Sequence, residues 1–193
     1  MADPPSLLQN NTALVSTFSS LLTCALHLIL YERRIYPPTT FLSTRRYNYP
    51  VRQNRHPKVC SWITDAVTAV EEELLKGTVS RVAVVIYSPD GVPLERFVFD
   101  VSSFPVVESG ETLTEFESQE DDGNVRVNAV DLEEQFRGVM RRLAFSGGGL
   151  GTLPEGCGFT VMIELKEEAE APIGVSISHP RTSIRDVMIR DQS

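Results

Sequence analysis

The chain has 193 residues, of which 41% are apolar and 8% aromatic, and a formal net charge of −8. That length and mix describe one globular domain with a real core rather than a disordered chain. The acidic balance argues against broad, phosphate-driven nucleic-acid binding and against a membrane-surface role.

The first predicted element is a helix over roughly residues 6–35. Leu14, Phe18, Leu21, Ala25, Leu28 and Glu32 step by three and four, and Leu22 and Ile29 widen the stripe. His27 and Leu30 make the helix apolar nearly all round at one level, so a central, buried position is expected. Tyr36-Pro37-Pro38 ends it. Residues 37–56 read as a turn-rich connection. His56-Pro57 opens a second helix with proline in its first turn. Val59, Ile63, Ala66, Val67, Val70 and Leu74 form its inner stripe, and Gly77 terminates it.

Residues 81–87 (RVAVVIY) are a β-branched run suited to a buried strand. Ser88-Pro89-Asp90-Gly91 has turn chemistry. Residues 95–101 (ERFVFDV) alternate, with one face buried and one wet, so the two runs make a hairpin. Residues 102–128 are loop-like and acidic. A third helix over about 129–145 turns Leu132, Phe136, Val139, Met140 and Leu143 inward. The glycines of 147–151 form a flexible joint before a strand at 158–165 (GFTVMIEL). Beyond Lys166 only 175–177 and 187–189 hint at short strands. The fold class is α+β: three main helices packed on a mostly antiparallel sheet with a central β-hairpin.

Little of this carries chemistry. Cys24, Cys60 and Cys157 are widely spaced, with no CxxC pair, so neither a disulfide scaffold nor a zinc site is indicated and a reducing compartment fits. The N-terminus lacks the basic start of a secretory signal, and the apolar run 21–31 is short for a bilayer span. The glycine run follows a helix and precedes a strand, the reverse of a phosphate-binding loop. Cys24 and His27 are one helical turn apart, but a histidine in an apolar helix reads as a hydrogen-bonded core residue. The ten acidic residues of 108–134 read as a solvated face. The stretch 33–58 holds seven basic residues and no acidic one. Its tyrosines leave two uses open, a single-strand nucleic-acid surface or a rim that meets an acidic partner. No catalytic constellation, metal or cofactor site emerges, so no enzyme activity is expected.

Four blocks, taken together, resemble a known family. They are ALHLILYERRIYP (25–37), YNYPVRQNRHP (47–57), RVAVVIYSPDGVPLERFVFDV (81–101) and GCGFTVMIEL (156–165). They are similar to the HORMA-domain family, and most to its accessory subunits of DNA polymerase zeta. They occur in the family's order, with the spindle-checkpoint HORMA proteins as the nearest group to confuse them with. The resemblance implies a HORMA-like core over 1–166 and a C-terminal "safety belt" over 167–193. That belt is shortened or altered here, because SISHPRTSIRDVMIRDQS departs from the family's ending.

It also implies a non-catalytic adaptor that holds a partner segment by strand addition. The captured segment would come from the polymerase zeta catalytic chain. A separate surface would bind a scaffold translesion polymerase, in the nucleus and also, as an open option, the cytoplasm. A HORMA–HORMA homo- or heterodimer is a further implied partner; a membrane and direct nucleic-acid contact are not. Trp62 falls where the family has an aromatic that lines the captured peptide. Val59 and Ile63 flank it on the same helix, and Tyr47 leads into it. The alternative for Trp62 is plain core packing. Arg137 falls where the family has a dimer-interface arginine, with Glu134 beside it. The alternative is a solvated arginine paired with Glu133 or Glu134 across a helical turn. The competing functions are a spindle-checkpoint-type regulator, or a nucleic-acid-binding module built on 33–58.

Overall fold

A computed structural model describes residues 11–104, 129–147, 149–166 and 185–189, with backbone alone for 129–132 and 185–189. Helix α1 (Asn11–Glu32) is followed by the hairpin β1 (Phe41–Arg46) and β2 (Tyr49–Asn54), then helix α2 (Pro57–Leu75). Strands β3 (Val79–Tyr87) and β4 (Pro93–Asp100), helix α3 (Ala129–Ser146), β5 (Gly158–Leu165) and β6 (Arg185–Ile189) complete the order. The main sheet runs β5-β3-β4-β6, antiparallel except where β6 lies parallel to β4; β1 and β2 form a sheet of their own.

α1 is the central helix, as its all-round apolarity implies. Its 22 residues are long and apolar enough by composition to cross a membrane. Twelve of them are buried in this fold, from Asn11 to Leu30, so that apolar surface is consumed by the core. α2, β2 and α3 pack around it. The helix stops at Glu32, short of the expected residue 35. The Ile35 N–H donates to the Leu30 carbonyl and the Arg34 N–H to the Tyr31 carbonyl, while Arg34 turns left-handed at φ 52°. This double closure ends the helix before the prolines are reached.

Residues 37–56 are not a loose connection. They fold into the β1–β2 hairpin, in register from Phe41↔Asn54 to Arg46↔Tyr49. Tyr47 and Asn48 both take positive φ, 50° and 51°, which makes the two-residue link a type I′ turn. The usual glycine signature is absent there, and Pro50 disguises a strand.

One face of the main sheet meets the helices. Val82, Val84 and Ile86 of β3 and Phe97, Phe99 and Val101 of β4 and its end join the core of α1, α2 and α3. On α3, Phe136, Val139, Met140 and Leu143 are buried as their spacing predicts; the Leu132 side chain lies outside the described residues. On the other face Ala83, Val85 and Val98 form a small buried cluster with Met162 packed against it. Beside it Glu164 receives Arg81 at 3.1 Å and Arg96 at 2.7 Å. The strand expected near 187–189 is β6; the hint at 175–177 and the acidic stretch 105–128 lie outside the described residues.

Candidate functional site at the edge of the sheet

β5 pairs with β3 on one side, from Val79↔Leu165 to Tyr87↔Gly158, and among the described residues its other side is the sheet's edge. All eight of its residues are half-buried. Phe159, Val161, Ile163 and Leu165 point toward the helix layer and pack on the core. The outer side of β5 therefore offers backbone donors and acceptors above an apolar floor, the surface that strand addition uses.

Aromatic rings gather at the N-terminal end of this edge. The Trp62 ring meets Phe159 edge to face at 4.7 Å, and Tyr36 meets Phe159 at 6.3 Å. Trp62 stays 39% exposed, so its indole covers β5 without being consumed by it. Tyr87 closes the group. Its ring occupies the space where a side chain at residue 158 would stand, so any larger residue there would have to displace the ring. Burial, with Tyr87 alongside, pushes the Tyr36 hydroxyl above its ordinary pKa, so it stays a neutral hydrogen-bonding group.

Trp62 is placed by the start of α2, and Asn54 fixes that start. Its side-chain oxygen accepts the His56 N–H at 2.8 Å, and its amide nitrogen donates to Thr40 Oγ1 at 3.2 Å. Its backbone N–H donates to His27 Nδ1 at 3.3 Å, and its carbonyl accepts from Cys60 Sγ at 3.1 Å. One buried asparagine thus joins α1, the hairpin and α2.

The residues singled out from the sequence separate into two groups. Trp62 lies on the β5 edge. Val59, one turn earlier, is half-buried and packs against the core. Ile63 is fully buried and belongs to the core beneath α2. Tyr47 sits at the hairpin turn, its ring 5.2 Å from Phe136 of α3. There it joins Arg137, whose Nε donates to the Tyr47 carbonyl at 3.1 Å. Arg137 therefore reaches the hairpin rather than Glu133 or Glu134, both of which are exposed.

Three features escaped the sequence reading. Tyr36, Tyr87 and Phe159 were not seen as neighbours, because they come from three distant segments. Arg33, counted with the basic stretch, is buried. Its Nε and Nη2 each donate at 2.7 Å to the Glu95 carboxylate, and Nη2 also reaches the Gly151 carbonyl at 2.6 Å. The expected flexible joint is thereby pinned at Gly151. A signal for this existed: Glu95 shares its strand face with Phe97 and Phe99, and an inward carboxylate needs a partner.

Cys24 and His27 have structural settings. Burial raises the Cys24 thiol pKa, which suppresses the nucleophilic thiolate. His27 is the hydrogen-bonded core histidine that its helix implies; burial lowers its pKa, and Nδ1 accepts from Asn54. Among the described residues no three His, Cys, Asp or Glu side chains converge as metal ligands.

The fold defines a class: an α+β domain whose helix-backed sheet ends, among the described residues, in an aromatic-flanked edge strand. Comparison with known proteins narrows it. The HORMA domain family matches residues 15–188. The chain is 33% identical over 149 residues to the zebrafish (Danio rerio) mitotic spindle assembly checkpoint protein MAD2B, covering 77% of this chain. It spans 64% of that relative's length, a little under two thirds. It is 30% identical over 158 residues to the DNA polymerase zeta processivity subunit of Schizosaccharomyces pombe, covering 82% of this chain and 71% of that protein. Its fold matches a chain in a crystal structure of the mitotic checkpoint complex with TM-score 0.66 at 21% identity, over 87% of this chain and 83% of that one. The chain belongs to the HORMA-domain family.

Proposed function

We propose that this chain is a non-catalytic adaptor that captures an extended peptide along the free edge of β5, beside Trp62. The observation that carries the reading is the half-exposed β5 edge, with Trp62 39% exposed above Phe159. An incoming strand gains backbone hydrogen bonds from the edge, and one of its side chains packs on the indole. Arg33, Glu95 and Asn54 hold the surrounding elements in place before any ligand arrives, which lowers the ordering cost of binding. The likeness to a polymerase zeta processivity subunit supports a captured segment from that polymerase's catalytic chain. In this reading a separate surface bridges to a scaffold translesion polymerase, Arg137 and Glu134 contribute to a HORMA–HORMA contact, and the protein works in the nucleus.

The name carried by the zebrafish relative favours a second reading, a checkpoint regulator that uses the same edge for a different segment. Calorimetric titration of the chain with a proline-containing peptide from a polymerase zeta catalytic subunit tests the first reading. Saturable binding that Trp62→Ala weakens supports it. A folded chain that binds no such peptide removes it, and binding of a checkpoint-protein segment instead selects the second.

A further inference from the structure

The structure holds a second open edge, on the other sheet. The type I′ turn fixes which backbone groups of β1 face out. Its closing pair, Arg46 and Tyr49, is hydrogen-bonded, and the bonded phase recurs at Thr44↔Val51 and Leu42↔Gln53. Three observations agree with that phase. Pro50, which has no N–H, falls opposite Arg45 in a non-bonded pair. The Arg55 N–H donates to the Thr40 carbonyl at 2.9 Å, extending the same alternation. The Asn54 N–H points away from β1, to His27. It follows that Ser43 and Arg45 turn their N–H and C=O groups away from β2.

Nothing among the described residues pairs with that side of β1. The strand is exposed from Leu42 to Arg46, and Leu42 is itself 51% exposed. The edge is also cationic. Arg45 and Arg46 lie on it, and Arg34, Arg55 and Lys58 are exposed in the same carboxylate-free stretch of sequence. Arg46 is held over the Tyr47 ring at 5.4 Å and Arg52 over the Tyr31 ring at 4.8 Å, so two of the guanidinium groups are ordered in advance.

We propose that β1 is a docking edge for an acidic, extended segment of a partner protein, distinct from the β5 site. Charge selects the occupant. A second copy of β1 would bring four arginines together on one edge, whereas carboxylates on the Arg45 face form favourable cross-strand pairs. Backbone geometry selects its class. The outward N–H and C=O groups of Ser43 and Arg45 complement another peptide backbone, and a nucleic acid offers no such repeat. Leu42 and Arg45 lie on opposite faces of β1, so a segment that alternates carboxylate and aliphatic residues sets its acids on the Arg45 face and its aliphatics on the Leu42 face. The arginines also protect the free protein against self-pairing along this edge.

Fluorescence anisotropy with the full chain tests this. The probes are a labelled eight-residue peptide alternating Glu and Val, the same peptide N-methylated at alternate residues, a Lys–Val counterpart and an oligothymidylate. The Glu–Val peptide is expected to bind. N-methylation and the double variant Arg45→Glu/Arg46→Glu should each weaken it ten-fold or more, the Lys–Val peptide should not bind, and Trp62→Ala should leave binding unchanged. Failure of the Glu–Val peptide to bind overturns the proposal. Equal binding of the N-methylated peptide, or oligothymidylate bound as tightly, shows a general polyanion surface and overturns strand addition. Loss of binding in Trp62→Ala assigns the peptide to β5 and overturns the second site.

Discussion

Arg33 and Glu95, 62 residues apart in the chain, form a two-point ion pair inside the core, with side-chain exposures of 6% and 2%. The pair links the end of α1 to the start of β4, and through the Gly151 carbonyl to the segment that leads into β5. Its net worth against an apolar alternative is small, because both charges were taken out of water. Removing one partner is different. Glu95→Ala strands a buried guanidinium and should cost about 3–5 kcal/mol. Replacing both residues with well-packed apolar ones should recover most of that loss. Urea denaturation of the single and double variants measures it; equal losses in both would show that the pair itself, rather than its completeness, stabilises the fold.

Trp62→Ala should separate binding from folding. The indole's edge-to-face contact with Phe159 and its partial exposure limit the stability loss to about 1 kcal/mol. As the anchor of a captured peptide it should cost about 2 kcal/mol or more of binding, roughly a thirty-fold loss of affinity. Thermal melts and calorimetry on the same preparation give both numbers. Matched losses would assign Trp62 to packing alone.

Arg137→Ala should convert any dimer of this chain to monomer. It should also cost the fold about 1 kcal/mol, because the hydrogen bond to the Tyr47 carbonyl is lost. Sedimentation velocity reads the first effect and denaturant unfolding the second. An unchanged sedimentation profile with the stability loss present would confine Arg137 to bracing α3 against the hairpin.

Much of this fold was legible, and the exceptions share a cause. α2, the β3–β4 hairpin, α3 and β5 follow from local period and turn chemistry, and their observed limits lie within about two residues of those read from the sequence. The β1–β2 hairpin was missed because Tyr47 and Asn48 accept positive φ without glycine, and Pro50 sits at a pairing position that needs no N–H. The same non-local character hid Arg33. Read along the chain it is one of seven basic residues; in the fold it belongs to β4. Trp62 was found through a resemblance, whereas its neighbours Tyr36 and Phe159 become neighbours only once β5 is paired.

His27 makes stability depend on pH in a direction that can be worked out. Burial lowers its pKa below the ordinary 6.5, and the unprotonated Nδ1 accepts the Asn54 N–H. The unfolded chain therefore takes up a proton near pH 6.5 while the folded chain resists it. Stability from this residue is fully present above that pH and falls as the pH drops through the interval down to the folded-state pKa. Protonation also places a second N–H against the Asn54 donor and breaks the hub that fixes the start of α2. The loss should therefore reach Trp62 and weaken peptide capture in the same interval. His27→Gln keeps an acceptor for Asn54 and removes the titration, so its stability should be flatter over that range. The difference between the two chains isolates His27 from Glu32, whose burial raises its pKa and so favours the fold as pH falls. Denaturant unfolding across the range makes the comparison. Parallel pH curves for the two chains would show that His27 is not the titrating group.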